Sequence, residues 1–140
     1  MGWDKKEIGM VSVLYVVFCS AILMWLSFEV IKQRRKFKVK YSDGGEEALI
    51  RARSAHSNAI EYIPVTLLML VLAEYNGVYL WAIHLCGFVF ILGRIIHGRS
   101  ILADTLTGRR FGMQCTFSVM LTLMVINLIC LPWLNFFWAR

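Results

Sequence analysis

The sequence has little of what a soluble domain or a disordered chain needs. Of its 140 residues only 17% are charged and only two are proline, while 59% are hydrophobic. Disordered chains need high charge and few apolar residues, so that class is excluded. An apolar share well above the roughly 45–50% of globular domains excludes an ordinary soluble fold as well. Four cysteines are present without any Cys-x-x-Cys pair or histidine at ligand spacing, which supports neither a zinc site nor a disulfide framework. They read as buried thiols behaving as small hydrophobes. Acidic residues are few, nine against fifteen Lys and Arg, for a net charge of +6. No zinc-ligand spacing or aromatic RNA-binding signature accompanies that charge, so nucleic acid is not the expected partner. A cleavable leader is not expected, because the first apolar run is too long for an h-region. Internal repeats are absent, so a duplicated transporter is not suggested.

What is there is a set of four apolar runs, each able to supply a crossing of about 20 residues. They predict an all-α membrane protein, a single domain over 1–140 with helices at about 10–31, 46–74, 78–97 and 113–134. The second is unusual. Its strongly apolar part is short, yet helical periodicity extends upstream through Leu49, Ala52, Ala55 and Ala59, beyond a turn at Asp43, Gly44 and Gly45. Such a helix is roughly 43 Å long against a hydrocarbon core of about 30 Å, so its first turns project from the membrane. Pro64 removes a backbone donor and is expected to bend it locally.

Loop charge sets the expected orientation. Lys32, Arg34, Arg35, Lys36, Lys38, Lys40, Arg51 and Arg53 follow the first run, and Arg94, Arg99, Arg109 and Arg110 surround the connection from third to fourth. The positive-inside rule places both connections in the cytoplasm and both termini outside. The hairpin Glu74, Tyr75, Asn76, Gly77 has no Lys or Arg, and Trp3, Trp81, Trp133 and Trp138 stand near the outer ends. The basic run from Lys32 to Lys40 reads as a topogenic signal or as a contact for anionic lipid head groups.

Ionisable residues at membrane depth need partners and are candidates for function. Ser54, Asn58, Glu61, Tyr62 and Thr66 fall at helical spacing on one broad face, and Arg94 and His97 lie one turn apart on the third helix. Glu61 and Arg94 are placed at similar depth to pair. Architecture and ligand binding both remain open from this pattern. His84, alone on an apolar helix, reads as a packing histidine.

The order Ala55, His56, Ser57, Asn58, Ala59, Ile60, Glu61, Tyr62, Ile63, Pro64 resembles the signature of the MAPEG superfamily, membrane-associated proteins in eicosanoid and glutathione metabolism. Gly93, Arg94, Ile95, Ile96, His97 resembles a second family block, and Arg109, Arg110, Phe111, Gly112 stands where members carry a basic residue. The likeness spans almost the whole chain and is greatest to the small bacterial inner-membrane branch. It implies a homotrimer of four-helix protomers with glutathione as co-substrate, held between protomers at the cytoplasmic side. Carried over by position, Asn58, Glu61 and Tyr62 are glutathione contacts, joined by His56, Arg53, Arg94 and His97, and Arg109 or Arg110 stabilises the thiolate. No metal is implied. Two departures stand out. Many members have arginine where this chain has Ser54, with its arginine one residue earlier at Arg53, and no tyrosine occurs from Ile95 to Gly112. Glutathione chemistry is therefore expected, without a leukotriene or prostaglandin as physiological substrate. The expected activity is a transferase or peroxidase acting on hydrophobic electrophiles; a small proton-coupled exporter and a non-catalytic binding or scaffold protein are the alternatives.

Overall fold

The computed structural model describes residues 10–131, which form four helices: α1 Ser12–Phe37, α2 Glu47–Tyr75, α3 Leu80–Leu102 and α4 Leu106–Cys130. Among the described residues there is no strand. All four helices are long and apolar enough to cross a membrane. Trp3, Trp133 and Trp138 lie outside the described residues, while Trp81 is exposed at the start of α3.

Three helix ends run well past the apolar segments that predicted them. α1 continues past residue 31 to Phe37 because Arg34, Arg35 and Lys36 are good helix formers and suit the negative end of the helix dipole. α3 runs on to Leu102, where Asp104 at φ 56° closes it: Thr105 N–H donates to Ser100 O at 2.8 Å and Asp104 N–H to Ile101 O at 3.2 Å. This is a left-handed cap that satisfies the last carbonyls. Thr105 then opens α4 at Leu106, seven residues before the expected 113. Arg109 and Arg110 are consequently part of α4, not of the connection before it. At the far end α4 stops at Cys130 and not at 134, since Leu131 precedes Pro132 and is held extended, at ψ 132°. The same kind of cap ends α2, with Gly77 at φ 81° supplying the left-handed residue of the hairpin. α2 is continuous across Pro64.

The core lies where α1, α2 and α3 meet, around Cys19, Leu26, Ala55, Ala59, Ile63 and Phe90. Ala52, Ala55 and Ala59 of α2 are fully buried in the bundle. α3 and α4 approach closely: a Cβ added at Gly112 would lie 2.6 Å from Gly93 O and 2.6 Å from His97 Cβ. Small residues bring backbones together in this way wherever lipid, not water, surrounds the bundle. Many large apolar side chains of α4, among them Phe117, Leu121 and Ile129, point out of the bundle.

One contact ties the α2–α3 hairpin to the start of α1. Glu74, buried at the end of α2, accepts Val11 N–H at 2.6 Å and Ser12 N–H at 2.7 Å through its two carboxylate oxygens. α1 has no side-chain cap of its own, so a residue from another helix satisfies its first donors and meets its positive dipole end. Glu74→Ala is expected to lower stability by about 1–3 kcal/mol, the cost of leaving such donors unpaired, with Glu74→Gln retaining part of it. Thermal unfolding in detergent micelles checks this; equal melting of the Ala variant and wild type would reject the cap. His84 likewise has a partner, the hydroxyl of Tyr15, 2.8 Å from Nδ1.

Candidate functional site

The polar face of α2 becomes one wall of an open groove of about 430 Å³ at the end of the bundle that carries the basic segments. Ser54, Ser57, Asn58 and Glu61 come from α2, His97 and Ile101 from α3, and Arg109 and Met113 from α4. Helical spacing explains the set: 54, 57, 58 and 61 share a face of α2, 97 and 101 of α3, and 109 and 113 of α4.

Behind the groove lies Arg94, only 1% exposed. Its Nη2 donates to Asn58 Oδ1 at 2.7 Å, and Nη1 reaches Thr116 Oγ1 at 3.5 Å and Met113 Sδ at 3.9 Å. Its guanidinium carbon stands 5.9 Å from the centre of the Tyr62 ring. Thr116 spends its own hydrogen on Gly112 O at 3.0 Å, which leaves its oxygen to accept from Arg94. A single cation thus fastens α2, α3 and α4 together. Nε of Arg94 has no partner among the described residues, so the buried charge is only partly satisfied.

The expected pairing of Arg94 with Glu61 is not found. Among the described residues no carboxylate lies in ion-pair range of Arg94 or of Arg109, and Glu61 takes only a long hydrogen bond, 3.4 Å, from Ser57 Oγ. The reason is helical phase. Asn58 occupies the level and direction of Arg94, and three residues later the chain has turned Glu61 outward to the open groove.

Of the residues singled out from sequence, the structure brings Asn58, Glu61, His97 and Arg109 together. Arg94 stands behind them and orients Asn58. Tyr62 is half-buried between Arg94 and the edge of Phe117, whose ring centre is 5.7 Å away, and does not line the groove. Thr66 is buried and bonds its own helix at Tyr62 O. Arg53 holds Asp43 at 3.2 Å and lines a smaller neighbouring groove of about 260 Å³, which shares Ser54 and Ser57 with the first. His56 lies off the groove: it faces α1 and bonds Ser27 Oγ at 2.9 Å. Arg110 is exposed and does not line the groove, since one residue rotates it by about 100° from Arg109. Met113, Ile101 and Thr116 were not anticipated, although Arg109, Met113 and Thr116 at i, i+4 and i+7 form a legible stripe on α4.

A model of the MAPEG family matches residues 12–129, which takes in all but the last residue of the four helices and every residue of the groove. The chain belongs to the MAPEG family. Similar curated proteins agree: the inner membrane protein YecN of Escherichia coli strain K12 is 38% identical over 124 residues, covering 89% of this chain and 95% of the relative. The YecN protein of Escherichia coli O6:H1 matches to the same extent. The fold is accordingly the four-helix membrane bundle of the MAPEG family, and in this member the two sequence blocks on α2 and α3 meet through Asn58 and Arg94.

Proposed function

We propose that this MAPEG protein is a glutathione-dependent transferase or peroxidase of the inner membrane that acts on hydrophobic electrophiles through a bound glutathione thiolate. The observation that carries this is the charge pattern of the groove: a carboxylate without a cation partner, Glu61, and a guanidinium without a carboxylate partner, Arg109, face one space beside Asn58 and His97. Glutathione offers the complement, an ammonium for Glu61 and, once its thiol is ionised, an anion for Arg109. Arg109 in the second turn of α4 adds its charge to the positive end of the helix, where a cation costs stability and an anion is favoured. That placement suits a thiolate, since a nearby cation favours the ionised form of a thiol. The bilayer concentrates the apolar substrate and the aqueous side supplies the thiol, with activation by environment and no metal.

The family implies a homotrimer, and an open polar groove at that end of the protomer fits a site that a neighbouring copy completes. With the basic segments cytoplasmic, the site faces the glutathione pool and both termini lie outside. Native mass spectrometry in detergent and reporter fusions at Arg140 test these two points. A stable dimer would reject the trimer, and a cytoplasmic C-terminus would reject the orientation.

Equilibrium dialysis of glutathione against the purified protein, followed by thiolate absorbance and turnover of a generic electrophile, tests the activity. Glu61→Gln removes the anion while keeping the shape. A charged hydrogen bond is worth roughly 1.5–3 kcal/mol, so affinity is expected to fall about 10-fold to 150-fold. Unchanged affinity in that variant would remove Glu61 from the site.

A further inference from the structure

His97 lies one turn beyond Arg94 on α3, and its two ring nitrogens have different surroundings. Nδ1 is 2.9 Å from the main-chain oxygen of Arg109. A carbonyl oxygen only accepts, so Nδ1 carries a hydrogen, and the neutral ring keeps its lone pair on Nε2. Nε2 has no hydrogen-bond partner among the described residues, yet it is not one of their buried unpaired atoms. It therefore keeps some solvent access, and the groove is the space that His97 lines. The ring is held in this orientation, because a half-turn would break the bond to Arg109 and the backbone beneath it is pressed against Gly112.

We infer that Nε2 of His97 is the base that takes the thiol proton of glutathione, with Arg109 receiving the thiolate. This rests on the glutathione reading above and adds a catalytic residue to it. The S–H bond breaks, its electron pair stays on sulfur, and the proton forms a new N–H bond at Nε2. The imidazolium continues to donate from Nδ1 to the Arg109 carbonyl, so the two partners of the ion pair are joined through one residue of α4. When the sulfur pair forms the C–S bond to an electrophile, the imidazolium returns the proton to the anion or leaving group so created. The charged groups around the ring are Arg94 on its own helix, Arg109 on α4 and Glu61 on α2, and α1 contributes none to the groove.

His97→Asn separates the base from its structural bond, since the Asn amide nitrogen stands where Nδ1 was and still donates to Arg109 O. Stopped-flow thiolate absorbance after mixing with glutathione is expected to slow about 10²-fold or more, the usual worth of a positioned base, while glutathione affinity by equilibrium dialysis stays near wild type. The wild-type rate is expected to rise with pH as one group loses its proton, and the variant to lose that dependence. A variant with wild-type rate and pH profile overturns the assignment and leaves His97 as a bond between α3 and α4. The wild-type profile decides even where the variant does not fold: a rate that does not rise with pH overturns the base. Wild-type protein that binds no glutathione overturns the glutathione reading as well, an outcome distinct from normal binding with an unaffected variant.

Discussion

Replacing Asn58 with leucine is expected to destabilise the protein by roughly 3–5 kcal/mol, the cost of stripping a buried charge of its partner. Asn58 Oδ1 makes the shortest hydrogen bond to Arg94, and the remaining contacts, a 3.5 Å approach to Thr116 and a sulfur at 3.9 Å, cannot replace it. Arg94 cannot escape to water, being 1% exposed with Nε already unpaired. Two further variants separate this cause from simple loss of packing. Asn58→Asp keeps an acceptor at the same place and should retain most of the stability. Asn58→Leu combined with Arg94→Leu removes both partners and should melt above Asn58→Leu alone, because an apolar pair leaves no orphaned charge. Thermal unfolding of the four proteins in detergent gives the comparison. A double variant no more stable than the single one would show that the bond between α2 and α3 is not what Asn58 contributes. The consequence for function is direct: loss of glutathione binding in Asn58 variants has to be read beside their stability, whereas Glu61 variants are free of this coupling.

On the glutathione reading, Arg109→Ala is expected to lower turnover about 10²-fold to 10³-fold, as removal of a single donor to a developing or resident anion does. Affinity should fall far less, because the ammonium contact at Glu61 stays in place. Arg110→Ala should leave both quantities unchanged. Sequence alone gave no ground for choosing between these two arginines, since the choice depends on where α4 begins. The start at Leu106 and the hydrogen bond from His97 to the Arg109 carbonyl put Arg109 on the groove and turn Arg110 away from it. Thiolate absorbance and steady-state turnover of each variant form the test. A loss confined to Arg110→Ala would mean that the sulfur approaches from the other side of α4, as a site covered by a second protomer would allow.

The number of helices and their order were legible because a bilayer sets a length that apolar runs must meet, and the runs are separated by charged or turn-forming residues. The long second helix was legible for a related reason: its alanines at helical spacing continue upstream of the apolar part. Helix ends were not. α3 and α4 meet across three residues, Ala103 to Thr105, because Asp104 adopts a left-handed conformation that nothing in a stretch of polar residues announces. The site shows the same division. Asn58 and Glu61 could be placed on one face from spacing, but the partner of Arg94 could not, since a carboxylate and an amide three residues apart are both plausible until the rotation of α2 against α3 is known.

By itself, then, the sequence determined the membrane setting, the four crossings and the polar residues that must be satisfied inside them, since these follow from the local cost of exposing charge or backbone to lipid. Tertiary structure decided who satisfies whom. Arg94 pairs with Asn58 and not Glu61, His56 turns to Ser27 on α1, Glu74 caps a helix that begins more than sixty residues before it, and Arg109 joins His97. Each of these depends on the relative rotation and depth of two helices. Between α3 and α4 those are set by close approach at Gly93 and Gly112, where an added Cβ would meet the backbone of the opposite helix.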